Sequence, residues 1–452
     1  MILARGAARP HGAGKDAMSR WMSTARVMLA AILLPAAWPM LARGQAGPVP
    51  LYLAYNDASA CPGEPDATCQ VARLVGATID GPRSRVNWTR EIPAVERIQY
   101  GYVSPDGRLV AWLGTSQTVA PIVYLHDTVT GTTQAFGPFH GAGYMFGNPA
   151  RPEVYLASDG VVTVLGPAGT RQISLPSVPF GLAVQLPGVS ANGALASIVT
   201  SHGSNGSTVV FDTVSGATVA VQPGVGVISA AGDTLFLLEV ENGAYRLRHR
   251  TLSGAILGDV PHRGNGALKA DSATGGVVSY LRSAAPNVFA LDATSLATTG
   301  SVTLNLSGFG NYPEPVLHEG SGLVAAFADG VDVGDLRTGQ LVARAPLRAA
   351  PLGALVFGAP VPPPPGALSH VVAGSAVTLT WGVSTRPAAV TRYVLEVGSA
   401  PGLNDIFSGL DVGLQTSFGA SNVPPGTYYV RVRAGNYSGL STPSNEVAVV
   451  VP

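Results

Sequence analysis

The feature that most constrains this chain is a turn that keeps returning. The stretch VSPDGRLVAW, beginning at Val103, sets Pro105, Asp106 and Gly107 between two apolar runs. Proline presets φ, aspartate hydrogen-bonds its own backbone and glycine accepts φ > 0, so the phrase alone specifies a turn. It leads into PIVYLHDTVTG, a second strand and a second tight turn ending at Gly131. VSANGALASIVTS, from Val189, leads to STVVFDTVSG, in which Asp212 to Gly216 repeats Asp127 to Gly131. Weaker copies begin at Asn148, Ile228, Asp271 and Leu317. The turns fall near residues 105, 149, 191, 230, 273 and 320, a period of about forty to forty-six. With LYLAYNDASA, from Leu51, counted as a divergent first copy, seven units precede residue 360.

A period of that length holding about four short strands is the signature of a β-propeller. VVTVL and STVVFD alternate apolar and polar residues, but one four-stranded sheet cannot bury both its faces. Packing the sheets radially solves that problem and leaves only short, protected edges. Ser104 to Gly107, with HDTVTG downstream, resembles the WD-type and Tol-system-like SPDG propeller repeat over residues 48–360. The resemblance implies an all-β ring of seven blades, whose innermost strands immediately precede the SPDG-like turns.

Composition agrees with an all-β chain. Only 12% of residues are charged, while 56 glycines and 36 prolines imply very many turns. Acids and bases balance at 27 each, and a balanced chain lacks the concentrated basic surface that nucleic acid requires.

Residues 1–46 read as a signal peptide and leader. Arg20 and Arg26 precede the apolar run VMLAAILLPAAW, and Gly44 and Ala46 are small residues placed for cleavage. Met18 or Met22 is an alternative start. The apolar run is too short and too proline-broken to span a bilayer, and no later segment approaches the required length of about 20 residues. Export favours a disulfide between Cys61 and Cys69 in CPGEPDATC, whereas a metal site would need more sulfur or histidine nearby.

At Val361 the chain changes character. VPPPPGALS, spanning residues 361–367 and slightly beyond, is a stiff proline-rich linker that cannot continue a sheet. In residues 366–452, Val377, Leu379 and Trp381 alternate, as do Tyr393, Leu395 and Val397, and Tyr428, Val430 and Val432. This is the pattern of a two-sheet antiparallel sandwich. The segment resembles a fibronectin type III domain, with Trp381 as its strand-B tryptophan and Pro-Gly-Thr-Tyr leading into strand F. Tyr428, not Tyr429, is expected inward, and the loop AGNYSGLS carries no Arg-Gly-Asp. Such modules act as spacers or auxiliary binding units.

Catalytic signatures are scarce. The sequence contains no G-x-S-x-G, H-E-x-x-H, P-loop or dinucleotide fingerprint, and its eight histidines lack ligand spacing. No cofactor and no metal are therefore expected. SPDGRLVAW differs in spacing from a sialidase Asp-box. Asp106, Asp127, Asp159 and Asp212 stand in turn contexts. Arg246, Arg248 and Arg250 share one strand face, which is either an anion clamp or a solvated or edge-guarding face.

The segments feeding the inner strands are rich in glycine and aromatics: QYGY, FHGAGYMFG, PFG and GFGNYP. Equivalent positions on different blades converge, so Tyr100, His140, Tyr144, Phe180, Phe309 and Tyr312 form a candidate ligand-binding rim, with packing between blades as the alternative. The expected protein is exported, periplasmic or extracellular, and monomeric. It binds a cell-envelope glycan or a protein or peptide through that rim. A polysaccharide- or peptide-active hydrolase or lyase with acids from several blades is the competing reading.

Overall fold

The computed structural model describes residues 49–57 and 71–452 except 81–82, 93–96, 116–119, 140–143, 159–160, 167–168, 175–187, 203–204, 264–265, 272–274, 282–286, 305–314, 319–320, 328–329, 347–352 and 385–388. The proposed leader and both cysteines, Cys61 and Cys69, lie outside these residues.

The first part of the chain forms seven four-stranded antiparallel sheets. Six are simple meanders whose first strand lies innermost: Arg97–Val103, Tyr144–Gly147, Gly188–Val189, Val225–Ile228, Gly266–Ala270 and Val316–His318 open blades 2 to 7. Blade 1 is composite. Its innermost strand, Gly353–Phe357, comes from the far end of the repeats and pairs with Val49–Asp57, which is followed by Val71–Ile79 and Arg85–Ile92. Joining the two ends of the repeat region within one sheet closes the ring. It also explains why six recurring turns accompany seven blades, because blade 1 has no connection between its first and second strands.

Seven apolar clusters, one at each blade boundary, hold the ring together. Leu355 and Phe357 of blade 1 meet Leu323 and Val333 of blade 7, and Leu74 meets Trp112 across blades 1 and 2. Leu113 meets Met145, Phe146 meets Phe211, and Val210 meets Leu235 across the next three boundaries. Phe236 with Leu268, and Val288 with Leu317, complete the circuit. Middle strands sit between two such clusters, so VVSYL (Val277–Leu281) is buried at every position. Each large side chain so enclosed contributes about 1.5–3 kcal/mol relative to exposure. The outer strand Thr218–Pro223 packs on one side only and leaves Val219 and Val221 exposed.

The recurring turn has the same wiring in each strong copy. Ser104 Oγ donates to Asp106 Oδ1 (2.5 Å) and accepts from Leu109 N–H (2.8 Å), while Arg108 N–H donates to Asp106 Oδ1 (3.1 Å). Ser190 and Asn192 repeat the arrangement at 2.7, 3.0 and 3.0 Å. Gly107, Gly193 and Gly232 all take positive φ at this step. The second turn recurs as well, with Asp127, Asp212 and Asp292 each accepting two backbone N–H groups from the residues that follow.

After Phe357 the chain runs into a sandwich. Strands Ser369–Ala373, Ala376–Thr380 and Ser417–Ala420 face a second sheet built on Arg392–Gly398, Gly426–Asn436 and Val447–Val451. Trp381, Tyr393, Leu395, Val432 and Val449 fill the space between them. Tyr428 packs against this core and its hydroxyl donates to Pro424 O (3.0 Å), as the alternation requires.

Candidate binding site on blades 2 and 3

The inner strand of blade 2 is irregular at one residue. Its register with Leu109–Thr115 shifts between Gln99 and Gly101, leaving Tyr100 as an extra residue at φ 49°. Strict alternation would place Ile98, Tyr100 and Tyr102 on one side. Ile98 packs toward blade 1, but Tyr100 and Tyr102 pack toward blade 3. The bulge therefore turns the aromatic pair onto the opposite face of the strand. A non-glycine residue in the left-handed region costs about 1–3 kcal/mol, and such strain concentrates at functional positions.

The two tyrosines use this placement differently. Tyr102 is a lock between blades: its hydroxyl donates to Asn148 O (2.8 Å) and Arg151 O (3.1 Å). Its ring occupies the space beside Gly147, where any Cβ would overlap it. Tyr100 instead stands 5.5 Å, ring to ring, from Tyr144 at an interplanar angle of 50°. Both are half-buried. Each lies four residues ahead of the buried polar residue that opens its blade's turn, Ser104 or Asn148. Blades 5 and 6 carry Val225 and Ala267 at that step. Among the described residues the aromatic pair at this step is thus confined to two neighbouring blades. His140, Phe180, Phe309 and Tyr312 lie outside the described residues.

Both readings of the arginine strand, a solvated or edge-guarding face and an anion clamp, require correction. Arg246, Arg248 and Arg250 lie on Ala244–Thr251, which is paired on both sides and is therefore not an edge. Arg248 contacts Glu239 and Glu241 at 2.5 Å, Arg250 contacts Glu239 at 2.9 Å, and Arg246 contacts Asp259 at 2.6 Å. Hydrogen bonds from Arg246 and Arg248 hold the Asp259 carboxyl below the usual range. Three cations facing three carboxylates form a neutral cross-strand ladder rather than an anion site.

Other described carboxylates are similarly engaged, while Asp159 lies outside the described residues. Asp127 is held down to about 2, against the cost of burial, by Arg108 and by the N–H groups of Val129 and Thr130. Asp332 is gripped twice by Arg344 at 2.8 Å. His126 lies buried between Arg90 (2.9 Å) and Thr133 (2.9 Å), and His318 bonds Ser321 (2.8 Å) beside Phe357. Among the described residues no group of three or more His, Cys, Asp or Glu could hold a metal ion. Nor is any described helix long and apolar enough to cross a membrane.

Sequence reasoning placed Tyr100 and Tyr144 in equivalent segments but missed the lock at Tyr102. The signal was present in QYGY, where the glycine between two tyrosines allows the inner strand of blade 1 to approach: a Cβ at Gly101 would lie 3.0 Å from Val356.

No protein-family model and no curated protein matches the chain. Among solved structures it is similar to TolB from Acinetobacter baumannii, at 15% identity over 77% of this chain and 74% of that one, with a TM-score of 0.36. It is similar to a putative 6-phosphogluconolactonase from Bacteroides fragilis, at 13% identity over 68% and 98%, with a TM-score of 0.45. A structure of titin kinase and its flanking domains aligns at 26% identity over 20% of this chain and 17% of that one, with a TM-score of 0.18. At these scores the seven-bladed ring rests on the chain's own sheet order and the packing at its blade boundaries.

Proposed function

We propose that this is an exported binding protein whose propeller engages a cell-envelope polymer, a glycan or a polypeptide, at the Tyr100–Tyr144 pair. The single observation that carries the reading is the bulge at Tyr100. It holds an aromatic residue in a disfavoured conformation and turns its ring toward Tyr144, whereas the lock at Tyr102 serves structure. Adjacent half-buried rings offer apolar faces of the kind that stack on sugars or grip side chains. Export is supported by the leader, and in that setting Cys61 and Cys69 form a disulfide. The C-terminal sandwich serves as a fibronectin type III module.

The test is titration of the protein with soluble peptidoglycan fragments and with an envelope-derived peptide library. Replacing Tyr100 and Tyr144 together by alanine should reduce affinity at least tenfold while the melting temperature stays within a few degrees. An unchanged affinity for every bound species would reject the site, and turnover of any of them would favour the hydrolase or lyase reading.

A further inference from the structure

The turns between first and second strands interlock from blade to blade. Ala191 N–H, in the turn of blade 4, donates to Ala230 O in the turn of blade 5 at 2.8 Å. Gly193 faces Asn148 and Ala150 of blade 3, and Gly232 faces Ser190 of blade 4. Each turn thus leans on the one before it. Blade 1 has no such turn, because its first strand ends at Phe357 and its second begins at Val49. Blade 2 should then have an unfilled place beside Pro105 and Gly107.

The sandwich occupies that place. Ala389 N–H donates to Pro105 O (3.3 Å), the carbonyl equivalent to Ala230 O, and Tyr437 N–H donates to Asp106 O (2.9 Å). A Cβ on Gly107 would lie 2.5 Å from Ser438 Oγ, as one on Gly193 would lie 2.2 Å from Asn148 Oδ1. The Arg108 guanidinium carbon lies 6.0 Å from the Tyr437 ring centroid while Asp127 holds its other side. The connecting segment is tied down as well. Buried Asn436 donates to Pro360 O (2.8 Å) and accepts from Ser438 and Gly439 N–H, while Ser384 Oγ donates to Pro363 O (2.5 Å).

We infer that the C-terminal sandwich is a closing element of the propeller, its 436–439 loop and Ala389 standing in for the turn that blade 1 lacks. The proline-rich segment is then a fixed strap instead of a flexible spacer. In a meander, the turn between first and second strands and the turn between third and fourth lie on one face, so the seated sandwich covers part of that face.

Double electron–electron resonance on the full chain tests this, with spin labels at Val129→Cys and Gln415→Cys, both exposed. One narrow distance distribution is expected. Ser438→Arg, which forces a long side chain against Gly107, should broaden it and speed proteolysis of the strap at least tenfold. A broad distribution in the unaltered joint, or an unchanged narrow one in the Ser438→Arg chain, would overturn the inference. If that variant does not fold, Asn436→Ala releases the same loop from Pro360, and a distribution left narrow by it would overturn the inference equally.

Discussion

Phe357, at the end of the last propeller strand, stands opposite Leu51, near the start of the first. Both side chains sit in the cluster that joins blade 7 to blade 1. The pairing joins the two ends of the row of sheets within one blade, so it concentrates stability at one seam. Phe357→Ala should cost about 3–5 kcal/mol, read from urea unfolding. It should shift the midpoint of the whole propeller transition, because neither end blade can bury its exposed face alone.

Gly147 and the ring of Tyr102 compete for the same space across blades 2 and 3. Gly147→Ala should therefore destabilise by about 1–3 kcal/mol, the range for overpacking. In a Tyr102→Ala background the same methyl group enters a cavity, and the added penalty should shrink toward zero. A double-mutant cycle on thermal stability measures this coupling.

Burial lowers both His126 and His318 to about 4, with Arg90 acting in the same direction on His126. Above pH 6.5 both are neutral in the folded and unfolded chain, and their contribution is complete. As pH falls from 6.5 toward 4, the unfolded chain takes up protons that the folded chain refuses. Stability should then decline by up to about 1.4 kcal/mol per pH unit for each histidine. His126→Gln should reduce that slope by one proton. Asp127 contributes at lower pH, since its depressed value near 2 means its stabilisation is lost only as pH falls below about 4.

Glu239 joins Arg248 and Arg250 on adjacent strands of blade 5, and all three side chains are mostly buried. Glu239→Gln removes the carboxylate that Arg250 contacts, leaves the ladder one negative charge short while Arg248 keeps Glu241 and Asp259, and should cost about 3 kcal/mol. Replacing a solvated surface acid would change stability far less, so chemical denaturation of this variant separates a structural ladder from an idle charged face.

Much of this architecture was legible because the repeats encode it locally. Ser104, Ser190 and Ser229 open turns whose glycines need positive φ, and that chemistry is visible in the residues themselves. The alternation from Val377 to Trp381 likewise placed the sandwich core. What escaped is non-local. Nothing in GALVF says that Gly353–Phe357 pairs with Val49–Asp57, and nothing in AGNYSGLS says that Tyr437 bonds Asp106. The arginines at 246, 248 and 250 showed their shared face but not the acids on neighbouring strands that neutralise them. At the site, the aromatics were visible in QYGY and GYMFG, whereas the bulge that turns Tyr100 toward Tyr144 depends on pairing with Leu109–Thr115.

The central claim, that an envelope polymer covers the Tyr100–Tyr144 pair, is tested most directly by hydroxyl-radical footprinting of the intact protein with and without saturating peptidoglycan fragments or the tightest-binding peptide. Tyr437, on the face that carries the sandwich, serves as the internal reference. The account predicts that oxidation of Tyr100 and Tyr144 falls severalfold on binding while that of Tyr437 is unchanged. Unaltered oxidation of both rim tyrosines in the bound protein would contradict it.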